Sequence, residues 1–288
     1  MSKKLWILIG LANLFLLSAC DKGPEEIPAY IHLEPFELTT NADEEGSAAE
    51  KITEAWLFVD DQSLGAYSLP ATVPVLVAGA KAIKVFPGIR QNGVSSEPDI
   101  YPFYLEHEEV RTLVGAKVDT IYPKTTYSPT LTFAVMDNFD LGTVFREDFD
   151  GSSETAFELV TGDEAFEGKS GKVTLTRANP LFEVGSDVAY AGFPANFRPV
   201  FLELNYKTSV IIEVGLRGYS TIQAPVTRYE RGVNAKDTWN KIYFNLTAQV
   251  TEMRQEGFLN LQVVFRAFLP VDQEEGTIYL DNIKLVHE

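Results

Sequence analysis

The stretch Val210-Ile211-Ile212-Glu213-Val214-Gly215-Leu216-Arg217 decides the fold. Val210, Ile212, Val214 and Leu216 recur at every second position, the period of an extended chain whose side chains alternate between two faces. A helix would bring its apolar residues round every 3.6. The same alternation runs through Leu202, Leu204 and Tyr206, through Ile242, Phe244 and Leu246, and through Leu259, Leu261, Val263 and Phe265. Thr247 to Gln255 is the exception: it reads as a short helix with Thr247 as its cap and Gly257 after its end. Residues 140–288 are therefore predicted to form a β-sandwich.

Subtracting the core from these strands leaves Glu203, Glu213, Arg217, Lys241, Tyr243, Asn245, Asn260, Gln262 and Arg266 on the opposite faces. Amides, charges and a tyrosine in such an array could hydrogen-bond sugar hydroxyls, and Trp239, Tyr219 and Tyr229, in or beside loops, could stack on a sugar ring. The candidate ligand set is Trp239, Tyr219, Tyr229, Tyr243, Asn245, Asn260, Gln262 and Arg266. The competing reading is a polar face that meets only water, as antiparallel sheets often have, with Trp239 plugging the end of the sandwich.

The closing segment Gly276-Thr277-Ile278-Tyr279-Leu280-Asp281-Asn282-Ile283-Lys284-Leu285, taken with Phe145 to Gly151, resembles the first and last strands of galactose-binding-like jelly rolls, the fold of many carbohydrate-binding modules. That resemblance implies a glycan as ligand. It also implies a structural calcium joining the first and last strands, for which the matching acids are Asp148 or Asp150 with Asp281. The alternative is that Asp281-Asn282 makes only local hydrogen bonds.

The first half reads as shorter strands between turns. Ala55 to Val59 and Leu64 to Leu69 flank the turn chemistry of Asp60 to Ser63, and Pro74 marks Val73 to Val77 as an edge strand or the start of a strand. Ile83 to Phe86 is expected to stop at Pro87-Gly88, and Gln91-Asn92-Gly93 is another turn. Lys117 to Tyr122 and Thr130 to Val135 supply further strands. Asp60-Asp61, Gly65, Pro70, Gly79 and the Ile83-Lys84-Val85 strand resemble a PEGA-like module, so residues 29–139 are expected to be a PEGA-like or immunoglobulin-like β-sandwich.

At the N-terminus, Lys3 and Lys4, the apolar run Leu5 to Leu17, and Leu17-Ser18-Ala19-Cys20 have the order of a secretory signal. The last four residues resemble the lipobox of bacterial lipoproteins. The resemblance implies that residues 1–19 are a signal peptide and that the mature chain begins at an acylated Cys20. Residues 20–28 would then be a lipidated tether at a cell envelope, in the outer membrane and displayed at its surface.

The sequence carries 41 acids against 24 lysines and arginines, a formal charge of −17 that becomes −19 without Lys3 and Lys4. Such an excess repels phosphate backbones, which excludes nucleic acid as the expected partner. A single cysteine leaves no internal disulfide.

No catalytic constellation emerges. His107-Glu108 begins like a zinc-protease helix, but arginine stands at position 111 where the second histidine is needed. No Gly-x-Ser-x-Gly elbow occurs, and the paired acids Asp43-Glu44-Glu45, Glu108-Glu109 and Glu274-Glu275 lie in loop-like surroundings. The expectation is an all-β, two-domain, non-catalytic envelope lipoprotein that binds glycan through its C-terminal jelly roll. The rival is an envelope protein that docks other proteins and binds no glycan.

Overall fold

The computed structural model describes residues 27–94, 96, 98–194 and 196–288. Cys20 and the expected signal segment lie outside the described residues. The protein is all-β, with two short helices, α1 (Ala42–Glu45) and α2 (Thr247–Gln255).

The first half contains β1 (Ala29–Leu33), β2 (Glu37–Leu38), β3 (Glu54–Val59), β4 (Gln62–Ser68), β5 (Ala71–Val75), β6 (Gly79–Arg90), β7 (Pro98–Ile100), β8 (His107–Leu113), β9 (Val118–Ile121) and β10 (Lys124–Thr125). One sheet runs β5-β1-β9 and a small β10-β2 pair follows the same chain segments; the other runs β4-β3-β6, with β7 and β8 sharing the far edge of β6. Ile31, Leu33, Leu57, Val73, Ile83 and Val85, all inward on this alternation, are buried between them. Pro74 sits on edge strand β5, where its missing N–H breaks no ladder.

Two local expectations are corrected here. β6 does not stop at Pro87. It pairs β8 over Gly79–Val85 and β7 over Gly88–Arg90, and the proline falls in the gap where neither partner needs an N–H. His107 to Arg111 is a strand and not a helix, because β8 alternates exposed and covered residues along β6.

The second half contains β11 (Thr132–Asp137), β12 (Phe145–Asp148), β13 (Glu158–Thr161), β14 (Lys169–Thr176), β15 (Leu181–Ser186), β16 (Val200–Thr208), β17 (Ile212–Tyr219), β18 (Val226–Val233), β19 (Lys236–Asn245), β20 (Asn260–Phe268) and β21 (Glu275–His287). One sheet is ordered β13-β14-β21-β16-β19 and the other β12-β15-β20-β17-β18. From β14 to β21 the chain crosses between the two sheets at every step except the β17–β18 hairpin, as in a jelly roll. The residues singled out by period-2 alternation, among them Leu202, Leu204, Ile212, Val214, Leu216, Phe244, Val263 and Phe265, fill the space between the sheets.

Helix α2 spans the residues expected, but Leu246, not Thr247, stands at its cap position. Thr247 Oγ1 instead accepts a hydrogen bond from Val200 N at 3.1 Å, tying the helix to β16. β11 also departs from expectation: Thr132–Asp137, read as a strand of the first half, pairs with Ile283–His287 of β21. Nor does β21 lie beside Phe145–Asp148; it is central in its sheet, bonded to β14 and β11 on one edge and β16 on the other, while β12 pairs with β15 in the opposite sheet.

The outer face of the β21 sheet is not solvated along its length. Phe201, Tyr243 and Val286 project into the first half and join its core, where Phe201 meets Tyr101 and Phe103 edge-on at ring separations of 5.1 and 5.6 Å. At the centre lies Glu203, 0 % exposed. Its carboxylate accepts hydrogen bonds from Tyr101 Oη (2.6 Å) and Tyr127 Oη (2.9 Å) and contacts Lys241 Nζ at 2.9 Å. Lys284, its register partner on β21, donates to the carbonyl of Ser47 at 2.6 Å. Burial opposes ionisation of Glu203, but the charges of Lys241 and Lys284 hold it below the usual carboxylate value. Burial lowers Lys284 to about 8 against the pull of Glu203.

Candidate functional site

The face of the β12-β15-β20-β17-β18 sheet that points away from the core carries the largest group of expected ligand residues. Register places Glu183, Arg266 and Glu213 in one row across β15, β20 and β17, and Arg217 beside Gln262 in another. Between them runs a row of Glu147, Gly185, Val264, Gly215 and Tyr229. The two glycines let aromatic rings lie against the backbone. A Cβ at Gly215 would sit on the Arg228 carbonyl oxygen and 2.9 Å from the Tyr229 ring, and one at Gly185 would meet the Phe149 ring at 2.7 Å.

Arginines stack over these rings. The Arg266 guanidinium lies 3.8 Å from the centroid of Tyr229, and that of Arg217 lies 4.7 Å from Phe149 and 5.8 Å from Tyr219. Carboxylates and an amide complete the array. Tyr229 Oη donates to Glu183 at 2.6 Å, Arg266 pairs with Glu213 at 2.8 Å, and Tyr219 Oη donates to Gln262 Oε1 at 2.6 Å. Burial, then the hydrogen bond to Glu183, raises the Tyr229 phenol, so it stays a neutral donor. Burial followed by the charge of Glu147 raises Tyr219. The result is a half-buried strip of planar groups with fixed donors and acceptors at its margins, suited to a ligand rich in hydroxyls.

The remaining expected residues are buried, at the sheet's end or on the other sheet. Gln262 is on this sheet but buried, and its amide nitrogen is spent on Glu147 and the Ser186 carbonyl. Asn260 is exposed at the start of β20, opposite Tyr219. Tyr243 is buried between the two halves, accepting from Lys51 N at 3.0 Å, because the first half covers this face of the sheet. Asn245 bonds Gln91 and Asn92 at the same seam. Trp239 is on the opposite sheet, against Phe166 at 5.4 Å, with Lys207 5.3 Å from its ring, and does not join Tyr219 and Tyr229.

The acids offered for calcium are not brought together. Asp148 ends β12 and Asp150 follows it in the turn, while Asp281 is in β21 on the other sheet. Asp150 accepts from Ser152 N and Glu183 N, and Asp281 from Ser170 Oγ, Glu167 N and Asn282 N, so their oxygens serve internal donors. Among the described residues no group of three or more His, Cys, Asp or Glu converges as a metal site.

Phe149, Glu183, Gly185 and Gly215 were not singled out from the sequence. The usable signal was the pair of glycines inside strands, which marks close approach by another group.

No family model matches the chain, and no curated protein matches it. Among solved structures, a family 30 carbohydrate-binding module is similar over 56 % of this chain and 89 % of its own, at 12 % identity and a TM-score of 0.43. The family 11 carbohydrate-binding module of a cellulosomal cellulase of Clostridium thermocellum is similar over 55 % of this chain and 97 % of its own, at 12 % identity and a TM-score of 0.37. The enzymatically active domain of bacteriophage CBA120 tailspike protein 4 is similar over 59 % of this chain and 25 % of its own, at 10 % identity and a TM-score of 0.39. These are distant likenesses, and the fold stands on its own strand order.

Proposed function

We propose that this chain is a non-catalytic glycan-binding protein of a bacterial envelope, held at the membrane through a lipidated Cys20. Glycan binds on the exposed face of the β12-β15-β20-β17-β18 sheet. The observation that carries this reading is the strip of Tyr229, Tyr219, Arg266 and Arg217 framed by Glu183 and Glu213. Arginine edges and carboxylates can pair with adjacent hydroxyls while the ring edges contact the apolar side of a sugar. The first half then serves as the spacer from the membrane and as the cover over the opposite sheet.

Affinity electrophoresis of residues 21–288 against a panel of polysaccharides tests the binding. Retardation on at least one polysaccharide, lost in Arg266→Ala and Tyr229→Ala, is the expected result; no retardation on any of them sinks the proposal. Growth with radiolabelled palmitate tests the anchor, with label expected on the intact protein and absent from Cys20→Ser.

A protein-docking role has one observation in its favour: Phe268, 53 % exposed, lies 5.2 Å from the Arg266 guanidinium and gives the face an apolar margin. Recovery of one stoichiometric envelope protein on this face, without polysaccharide binding, would decide for that role.

A further inference from the structure

We infer that the seam between the two halves holds a separate site for an oxyanion, a carboxylate or sulfate group borne by an acidic saccharide. A cavity of about 250 Å³ opens there, walled by Lys51, Thr53 and Arg90 from the first half and by Lys236, Asn240 and Lys241 from the second. This is below the roughly 300 Å³ at which small-molecule sites begin, which suits one charged group or a single sugar ring. In a chain with 41 acids against 24 lysines and arginines, no carboxylate lines the cavity among the described residues.

Two of its walls offer polar atoms with hydrogen-bonding capacity left over. Thr53 Oγ1 is buried with no hydrogen-bond partner among the described residues, and the buried Lys241 ammonium has the Glu203 carboxylate, 2.9 Å away, as its one charged partner. Lys241 is 4 % exposed, lines the cavity and has three N–H donors, more than its contact with Glu203 uses. Buried polar groups in folded proteins almost always find partners, and an oxyanion can accept from a hydroxyl and an ammonium at once.

The remaining cations point the same way. Arg90 is anchored on Glu54 at 2.7 Å, while Lys51 has only the Asn240 amide oxygen, at 2.6 Å. Lys236 has no ion pair among the described residues. Partial withdrawal from water, and to a smaller degree the charges of Lys236 and Arg90, lower Lys51 from the usual ammonium value. An anion placed between them relieves that repulsion.

Lys236 also borders a wider open groove with Lys207, Asp237, Thr277 and Tyr279. The rest of a saccharide whose acid group sits in the cavity can leave through it.

This site does not depend on the exposed sheet face. Calorimetry on residues 21–288 at fixed ionic strength, with sodium glucuronate, glucose and sodium sulfate as probes, tests it. Saturable one-to-one binding of glucuronate with none of glucose is expected, weakened at least tenfold in Lys51→Met/Lys236→Met and unchanged in Arg266→Ala. Both lysines have exposed side chains, so the double variant should keep the melting temperature of the unaltered chain. Sulfate binding as tightly as glucuronate would uphold the oxyanion site with a free ion as its source. Failure of both anions to bind, or full binding by the double variant, overturns the inference.

Discussion

Glu203→Gln is the most informative single change, because it removes one negative charge from the buried contact between the two halves while keeping the side chain's volume. The amide can still accept from one of the two tyrosine hydroxyls, Tyr101 or Tyr127, that now bond the carboxylate. It cannot neutralise Lys241, 2.9 Å away, or Lys284 across the strand pair. Removing one member of a buried ion pair typically costs about 3–5 kcal/mol, since the other is left without compensation. At roughly 2–4 °C per kcal/mol for a chain of this size, the melting temperature should fall by roughly 6–20 °C.

The pH profile gives the same experiment a second readout. Lys284 titrates near 8 in the folded protein against an ordinary value near 10.5, so between these values the unfolded chain binds the extra proton. Stability therefore rises as pH goes from 8 to 10, at up to about 1.4 kcal/mol per pH unit. Above about 10 the trend turns, since burial and the charge of Glu203 raise the phenols of Tyr101 and Tyr127 and the unfolded chain loses those protons first. Without Glu203 the lysine loses its favourable charge, and the rise should begin below pH 8. Urea unfolding followed by tryptophan fluorescence at several pH values measures both effects. A loss under 1 kcal/mol, or two separate transitions in the unaltered protein, would refute the view that this cluster joins the halves into one unit.

Three further outcomes are expected. Residues 140–288 expressed alone lack β11 and leave Phe201, Tyr243 and Val286 uncovered, so size-exclusion chromatography should show aggregate, whereas residues 27–288 run as a soluble species. Burial raises Asp281 to about 6, so the folded state holds its proton more tightly between pH 4 and 6 and stability falls as pH rises through that range; Asp281→Asn should flatten the fall in urea midpoints. Gly215→Ala sets a methyl on the Arg228 carbonyl and the Tyr229 ring, and chemical denaturation should show a loss of about 1–3 kcal/mol together with weakened polysaccharide retardation.

The sandwich of the second half was legible because alternation reports directly which residues share a face. Leu202, Ile212, Phe244 and Phe265 are all in the core that the pattern drew. What alternation leaves open is what covers the opposite face. Glu203, Lys241 and Tyr243 read as solvent-facing, yet Phe201, Val286 and Tyr243 share that face, and apolar residues on a nominally polar side are the local sign of a second layer. The expected ligand set scattered for the same reason. Trp239 and Tyr243 belong to one sheet and Tyr219, Tyr229 and Arg266 to the other, and sheet order is fixed by long-range pairing that no local pattern encodes. β11 was assigned to its sequence neighbours for want of any signal that its partner would be the last strand.

Strand β21 makes the second half all-or-none. The 13 residues of β21 bond three other strands and supply Lys284 and Val286 to the contact between the halves. Without them β16 keeps β19 as its sheet neighbour but loses β21, and Glu203 lacks one of its two cations. A truncation inside β21 should therefore abolish the whole second half instead of trimming it.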